Sequence, residues 1–130
     1  MKKIKILIIC LCLAASLFII NGQENKTEKI AIAADGEKMD SRVESQGGRA
    51  QCFILLNEKG EIIEALENPF YQERNQAGVQ CAGLLAEKNV TIFVAGNIGN
   101  KMADALEDFD IAFISFTGTI EEAIAHVLEK

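Results

Sequence analysis

Short apolar runs alternate with turn signals after residue 29, and this pattern predicts five strands and three helices. The apolar runs are bounded by Asp, Gly, Asn or Glu and predict strands at 30–34, 51–57, 61–67, 91–95 and 111–115. Helical spacing of small and apolar residues predicts helices at about 76–88 and 100–108, and a last helix that Thr119 opens with a Thr-x-x-Glu capping box. The element order β-β-β-α-β-α-β-α indicates an α/β fold on a mixed sheet.

This order also predicts which strand ends meet. A short Gly-containing connection joins the second and third strands, so the first three strands form an antiparallel meander and the third runs parallel to the first. Crossovers through a helix join parallel strands, and we expect the fourth and fifth strands to run the same way. The turns 35–50, 68–77, 96–99 and 116–119 then share one edge of the sheet, which is where open α/β sheets bind ligands.

The first 23 residues have the layout of a secretory signal. Three lysines precede an apolar run at 6–20 in which Ser16 is the only polar side chain, and a polar linker follows at 24–29. We therefore expect a signal peptide at 1–23 and a folded domain at 30–130, in a periplasmic or extracellular location. An uncleaved membrane anchor stays open, because the large Ile20 precedes Gly22 where cleavage needs small residues; a lipoprotein attached through Cys10 or Cys12 is less favoured.

Charge excludes one class of partner. The exported part carries 10 basic and 19 acidic side chains, a net charge of −9. Such a surface repels phosphate backbones, and we expect no nucleic acid partner. Only Cys52 and Cys81 remain after signal removal; buried thiols are the favoured interpretation, with a disulfide or metal ligation as alternatives.

Two glycine-containing turns are candidates for anion binding. The connection 35–50 is unusually long and contains Gly47-Gly48-Arg49, whose amides and guanidinium could cradle an anion or simply form a flexible turn. The turn 96–99 joins a strand to a helix start, where free amides attract anions. A metal-dependent hydrolase is disfavoured because Asp35 and Asp40 have no carboxylates at the neighbouring strand ends.

Residues along most of the chain resemble the dinitrogenase iron-molybdenum cofactor biosynthesis family. The matching segments are Ile30–Gly36, Met39–Val43, Gly48–Ala50, Asn68-Pro69, Ala77–Gln80, Val94–Gly96, Ile98-Gly99 and Thr119–Ala123. The resemblance implies a ribonuclease-H-like mixed five-stranded sheet. It also implies a non-enzymatic domain that binds an iron-sulfur or iron-molybdenum cofactor precursor.

The chain differs from the family at the positions that bear on ligation. Family members commonly have His and Phe where this chain has Gln46 and Gly47, and many have a second His near the position of Asn75. Amides ligate soft metals poorly. The candidate cofactor-binding residues are Asp40, Ser41, Gln46, Gly47, Gly48, Arg49, Asn75, Gly78, Gly96, Asn97 and Gly99.

The leading hypothesis is an exported, non-catalytic carrier that binds an anionic metal-sulfur cluster or its precursor at the loop edge. The alternative is a protein-interaction module of the same fold that has lost cofactor binding. The ultraviolet–visible spectrum of anaerobically isolated protein discriminates between them, because only a bound cluster adds charge-transfer bands.

We predict that the amino-terminal segment directs export and that the folded domain starts near Glu28, because the polar linker ends there and the first strand begins at Ile30. Mass spectrometry of the protein recovered from a bacterial host measures the mature terminus. An intact Met1 in a soluble cytosolic fraction would contradict export.

Overall fold

The chain folds into a mixed five-stranded sheet with helices on both faces, and the computed structural model describes residues 27–129. The strands are β1 (Ile30–Ala34), β2 (Cys52–Leu56), β3 (Ile62–Glu67), β4 (Ile92–Ala95) and β5 (Ala112–Ser115). The helices are α1 (Ala77–Glu87), α2 (Asn100–Asp108) and α3 (Ile120–Leu128), and Gly47–Arg49 forms one turn of 3-10 helix.

The strand order is β3-β2-β1-β4-β5. β2 is antiparallel to both β1 and β3, whereas β1, β4 and β5 are mutually parallel. Four strands therefore end at one edge of the sheet, which we call the carboxyl edge; the opposite one is the amino edge. The predicted fold class and the predicted strand directions are confirmed.

Alternation of large and small side chains builds the face of the sheet that α1 and α2 cover. Ala31 and Ala33 of the central strand pair with Phe93 and Phe53 of its two neighbours. Because the alanines are small, the two rings meet in an edge-to-face contact with centroids 5.9 Å apart. Both rings are fully buried.

Helix α3 covers the other face. Ile30, Ile32 and Ile54 point to this side and pack with Ala123 and Val127 of the helix. The predicted capping box is present: the Glu122 amide donates to Thr119 Oγ1 at 3.2 Å, and the Thr119 amide donates to the Glu122 carboxylate at 3.0 Å.

The sheet separates the two cysteines. Cys52 belongs to the cluster beneath α3, and Cys81 belongs to the cluster beneath α1 and α2. Both are buried free thiols, so the structure contradicts the disulfide alternative. Burial is the main cause that raises the pKa of Cys81 from 9.0 to about 11, and burial also raises the pKa of Cys52.

The predicted signal or anchor at 1–23 lies outside the described residues. Among residues 27–129, no helix has the length and apolar character that crossing a membrane requires.

We predict that replacing Cys52 and Cys81 together with Ala lowers the free energy of unfolding by about 1–3 kcal/mol, since each replacement removes a buried group. Bound ligand should be unaffected, because neither thiol lines the cleft described below. Urea unfolding measures the first effect and metal analysis the second. Loss of bound metal from the double variant would contradict the assignment of both as structural thiols.

Two glycines of α1 give a matched test of its packing. A Cβ at Gly78 would lie 2.8 Å from Met102 Cβ of α2, whereas a Cβ at Gly83 would meet nothing within 4 Å. We predict that Gly78→Ala destabilises the fold by about 1–3 kcal/mol through overpacking. Gly83→Ala should stabilise it by about 0.5–1 kcal/mol through helix propensity. Urea midpoints of the two variants measure the difference, and equal midpoints would contradict it.

Candidate functional site

One cleft at the carboxyl edge collects three of the predicted turns on the side of the sheet that α1 and α2 cover. Its volume is about 390 Å³, which is within the usual range for small-ligand sites. The 3-10 turn and the first turns of α1 and α2 form its walls. The lining residues are Gln46, Gly47, Gly48, Arg49, Gln76, Ala77, Gly78, Val79, Asn97, Gly99, Asn100, Lys101 and Met102.

Two helices begin at this cleft without a side-chain cap. Gln76, in the left-handed conformation with φ 62°, precedes α1, and Gly99 precedes α2; neither makes a capping hydrogen bond. Neither helix has an acidic residue in its first turn, in contrast to α3. The first amides of a helix have no partner within it, and they carry its positive dipole end. The cleft therefore faces two sets of uncapped amide donors.

Glycines allow the three walls to approach closely. A Cβ at Gly48 would lie 2.9 Å from both the backbone nitrogen and Cα of Gly78. A Cβ at Gly47 would lie 3.0 Å from the Phe93 ring and 3.3 Å from Met102 Sδ. The 3-10 turn thus rests on α1 and on the aromatic core, and its own peptide groups line the cleft.

The cleft is locally basic in an acidic protein. Arg49 and Lys101 are its charged lining residues, and no carboxylate lines it. Among the described residues, Lys101 forms no salt bridge. Four carboxamide side chains add hydrogen-bonding groups: Gln46, Gln76, Asn97 and Asn100. This donor set fits an anion.

The guanidinium of Arg49 does more than line the cleft. Its Nη1 donates to the carbonyl oxygen of Glu73, and its Nη2 donates to that of Arg74 at 3.3 Å. Sequence reasoning gave this side chain only the role of a charge beside an anion cradle. The structure uses two of its donors to hold the loop before α1.

The long connection between β1 and β2 is ordered by backbone pairing along the carboxyl edge. Isolated bridges join Val43 to Ala34, Arg42 to Thr119 and Gln46 to Asn97. The Gly47 amide donates to the Asn97 carbonyl at 3.0 Å. The pairing fixes the 3-10 turn beside the start of α2.

Four predicted site residues lie outside this cleft. The Ser41 carbonyl accepts from the Ile120 amide at 2.8 Å, so Asp40 and Ser41 belong to the start of α3. Gly96 packs behind the cleft, where its Cβ would lie 2.9 Å from Ser45 Cα. Asn75 is in the loop that leads to α1 and does not line the cleft.

Seven predicted residues do line it: Gln46, Gly47, Gly48, Arg49, Gly78, Asn97 and Gly99. Sequence reasoning missed Gln76, Ala77, Val79, Asn100, Lys101 and Met102. A signal for Lys101 was present, because it follows the Gly96–Gly99 turn at the start of a predicted helix.

The donor set does not fit a bare metal ion. Neither His nor Cys lines the cleft, and the described residues contain no group of three or more His, Cys, Asp or Glu side chains that could hold a metal. The nearest thiol is that of Cys81, whose Sγ is 3.7 Å from the Gly48 carbonyl oxygen behind the cleft wall. His126 stacks on Phe116 with ring centroids 4.8 Å apart, on the α3 side. An anion that already carries its own metal ligands fits the cleft better.

Solved structures share this fold. The apo form of the orange protein from Desulfovibrio gigas is 25% identical and superimposes with a TM-score of 0.74, covering 78% of this chain and 88% of that one. A Thermotoga protein described as NifB is 26% identical with a TM-score of 0.68, over 78% and 88% of the two chains. A Methanocaldococcus jannaschii protein described as a dinitrogenase is 15% identical, covers 79% and 89%, and with a TM-score of 0.57 supports the fold alone.

No curated protein matches the chain. The family model described as dinitrogenase iron-molybdenum cofactor matches residues 28–130, nearly the whole of the described region. The chain therefore belongs to the dinitrogenase iron-molybdenum cofactor family.

Proposed function

We propose that this protein is an exported, non-catalytic carrier that holds an anionic metal-sulfur cluster, or a precursor of an iron-molybdenum cofactor, in the carboxyl-edge cleft. The observation that carries the proposal is the convergence of two uncapped helix starts on a cleft that Arg49 and Lys101 line and no carboxylate lines. Family membership supports the class of cargo.

Binding of this cargo depends on charge and hydrogen bonding. Amide and ammonium groups donate to sulfide or oxo atoms on the outside of an anion, and helix starts add their dipoles. Family members commonly have His at the position of Gln46, and many have a second His near the position of Asn75, so this chain offers no imidazole to the metal there. A complete cluster with its own ligands needs none.

Weak, reversible holding suits a carrier. The cleft opens to solvent at the edge of the domain, and its cations lie within an exported part of net charge −9. Bulk charge disfavours anions in general, so an anion must make close contacts in the cleft to bind. Lys101 is the one lining residue that could act as an acid, base or nucleophile, and no carboxylate, His or Cys lines the cleft to work with it. We therefore favour a carrier over an enzyme.

A protein-interaction module is the second candidate, and a different surface favours it. Ile62, Ile63, Phe109 and Leu128 are large apolar residues with 43–51% of their surface exposed. Each lies at the beginning of β3 or at the end of α2 or α3, and thus toward the amino edge. An edge that exposes several large apolar groups is a candidate surface for contact with a partner protein.

We predict that the protein binds tetrathiomolybdate, a molybdenum–sulfur dianion, more tightly than molybdate, an oxo dianion of the same charge and shape. Anaerobic calorimetric titration measures both affinities. Equal affinities would indicate a generic anion site, and binding of neither anion would favour the interaction module. Charge-transfer bands in protein isolated anaerobically from its native host would independently support a cluster.

An isosteric pair of variants locates the binding. Asn97→Asp places a negative charge in the cleft, and Asn89→Asp places the same charge in the exposed turn after α1, at the amino edge. We expect Asn97→Asp to lower the affinity for tetrathiomolybdate about tenfold at low salt, since close like charges repel by roughly 1–4 kcal/mol. Asn89→Asp should have little effect. Equal losses in both variants would place binding elsewhere.

A further inference from the structure

Both ends of the loop that leads into α1 are fastened to one short segment of the chain. At the beginning of the loop, buried Asn68 donates through Nδ2 to the Ala50 carbonyl at 2.8 Å and accepts from the Phe70 amide at 2.9 Å. At its end, the Arg49 guanidinium holds the carbonyl oxygens of Glu73 and Arg74. Adjacent residues 49 and 50 therefore hold the loop 68–76 at its beginning, Asn68, and near its end, Glu73 and Arg74.

The fastened end of the loop leads directly to the cleft. Arg74 is two residues before Gln76, which has a positive φ and begins the α1 wall. Residues 71–76 are exposed, and no side-chain cap holds this end of the helix. The guanidinium contacts are thus the side-chain hydrogen bonds that fix the path of the loop immediately before the wall.

Lys101 has a different environment. It is the second residue of α2, it is exposed, and no carboxylate of the described region pairs with it. Its flexible ammonium can follow ligands of different shape, whereas the planar fork of Arg49 is committed to two carbonyl oxygens.

We propose that the two cations of the cleft have separate roles: Arg49 is a positioning residue that locks the loop 68–76 and the α1 wall, and Lys101 is the ligand-contacting cation that selects anions. The Lys101 role rests on the proposed function. The Arg49 role is a property of the fold and can be measured without a ligand.

Limited trypsin digestion tests the lock, because Arg74 is itself a tryptic site in an exposed loop. We expect Arg49→Gln and Arg49→Lys to raise the initial rate of cleavage after Arg74 by about tenfold or more. A lost charge-assisted hydrogen bond raises the open population by roughly one to two powers of ten. Trypsin should cleave the Lys101→Gln variant after Arg74 at the wild-type rate. Cleavage after Lys88, at the end of α1, controls for global unfolding in every variant.

Salt dependence of tetrathiomolybdate binding tests the division of roles. Lys101→Gln should weaken binding about tenfold at low salt and flatten its salt dependence, because a screened charge is lost. Arg49→Lys should weaken binding, because the α1 wall is no longer held in place. The salt dependence should not change, because the variant keeps the charge. The same affinity in Lys101→Gln and wild type would overturn the role of Lys101.

The digestion and the binding measurement can fail independently of each other. Wild-type cleavage rates after Arg74 in both Arg49 variants would overturn the lock, whatever the ligand result. If the wild-type protein binds no anion, the proposed function and the Lys101 role fail together. The digestion would still decide the role of Arg49.

Discussion

The contact between the backbones at Gly48 and Gly78 is the constraint on which the cleft depends. Any side chain at Gly48 would intrude on the first turn of α1, and the 3-10 turn would have to move away. Since that turn also pairs with Asn97 before α2, its displacement would separate all three walls. A site made of backbone amides needs this proximity, because amides have no side-chain length with which to reach a ligand.

The fold was largely readable from local patterns because its local and tertiary preferences agree. The continuous apolar runs of β1 and β2, the Thr119 capping box and the Gly-containing hairpin each specify one element. Ala31 and Ala33 show where pattern alone falls short. Their small size predicts close packing, but the edge-to-face contact of Phe53 with Phe93 above them depends on which strands flank β1, and that is a property of the topology.

The site was predicted less completely, for a physical reason. Glycine turns are visible in sequence, and Gly47, Gly48 and Gly99 were identified from them. A helix start binds ligands through unpaired backbone amides, which any residue type can supply. The side chains of Ala77 and Val79 therefore do not mark these residues as part of a binding site. Asp40 and Ser41 belong to the same long connection as Arg49, but pairing of Arg42 with Thr119 carries them to α3. Long-range backbone pairing decides which residues of this loop line the cleft and which lie beside α3, and the sequence of the loop does not reveal that pairing.

Roles of the basic side chains also depend on tertiary contacts. A guanidinium beside two glycines suggests an anion ligand, yet the carbonyl oxygens of the next loop occupy part of the Arg49 fork. Those carbonyls are more than twenty positions away along the chain, where no local motif marks them as acceptors.

The direction of β1 places the start of the described chain and the cleft at opposite edges of the sheet. Residue 27 and the strand that follows it start at the amino edge, where the Lys29 carbonyl accepts from the Thr91 amide, and the cleft opens at the other end of the sheet. A tether attached through the amino terminus would therefore hold the domain at the amino edge of the sheet. The mouth of the cleft would then lie at the end of the domain farthest from the tether.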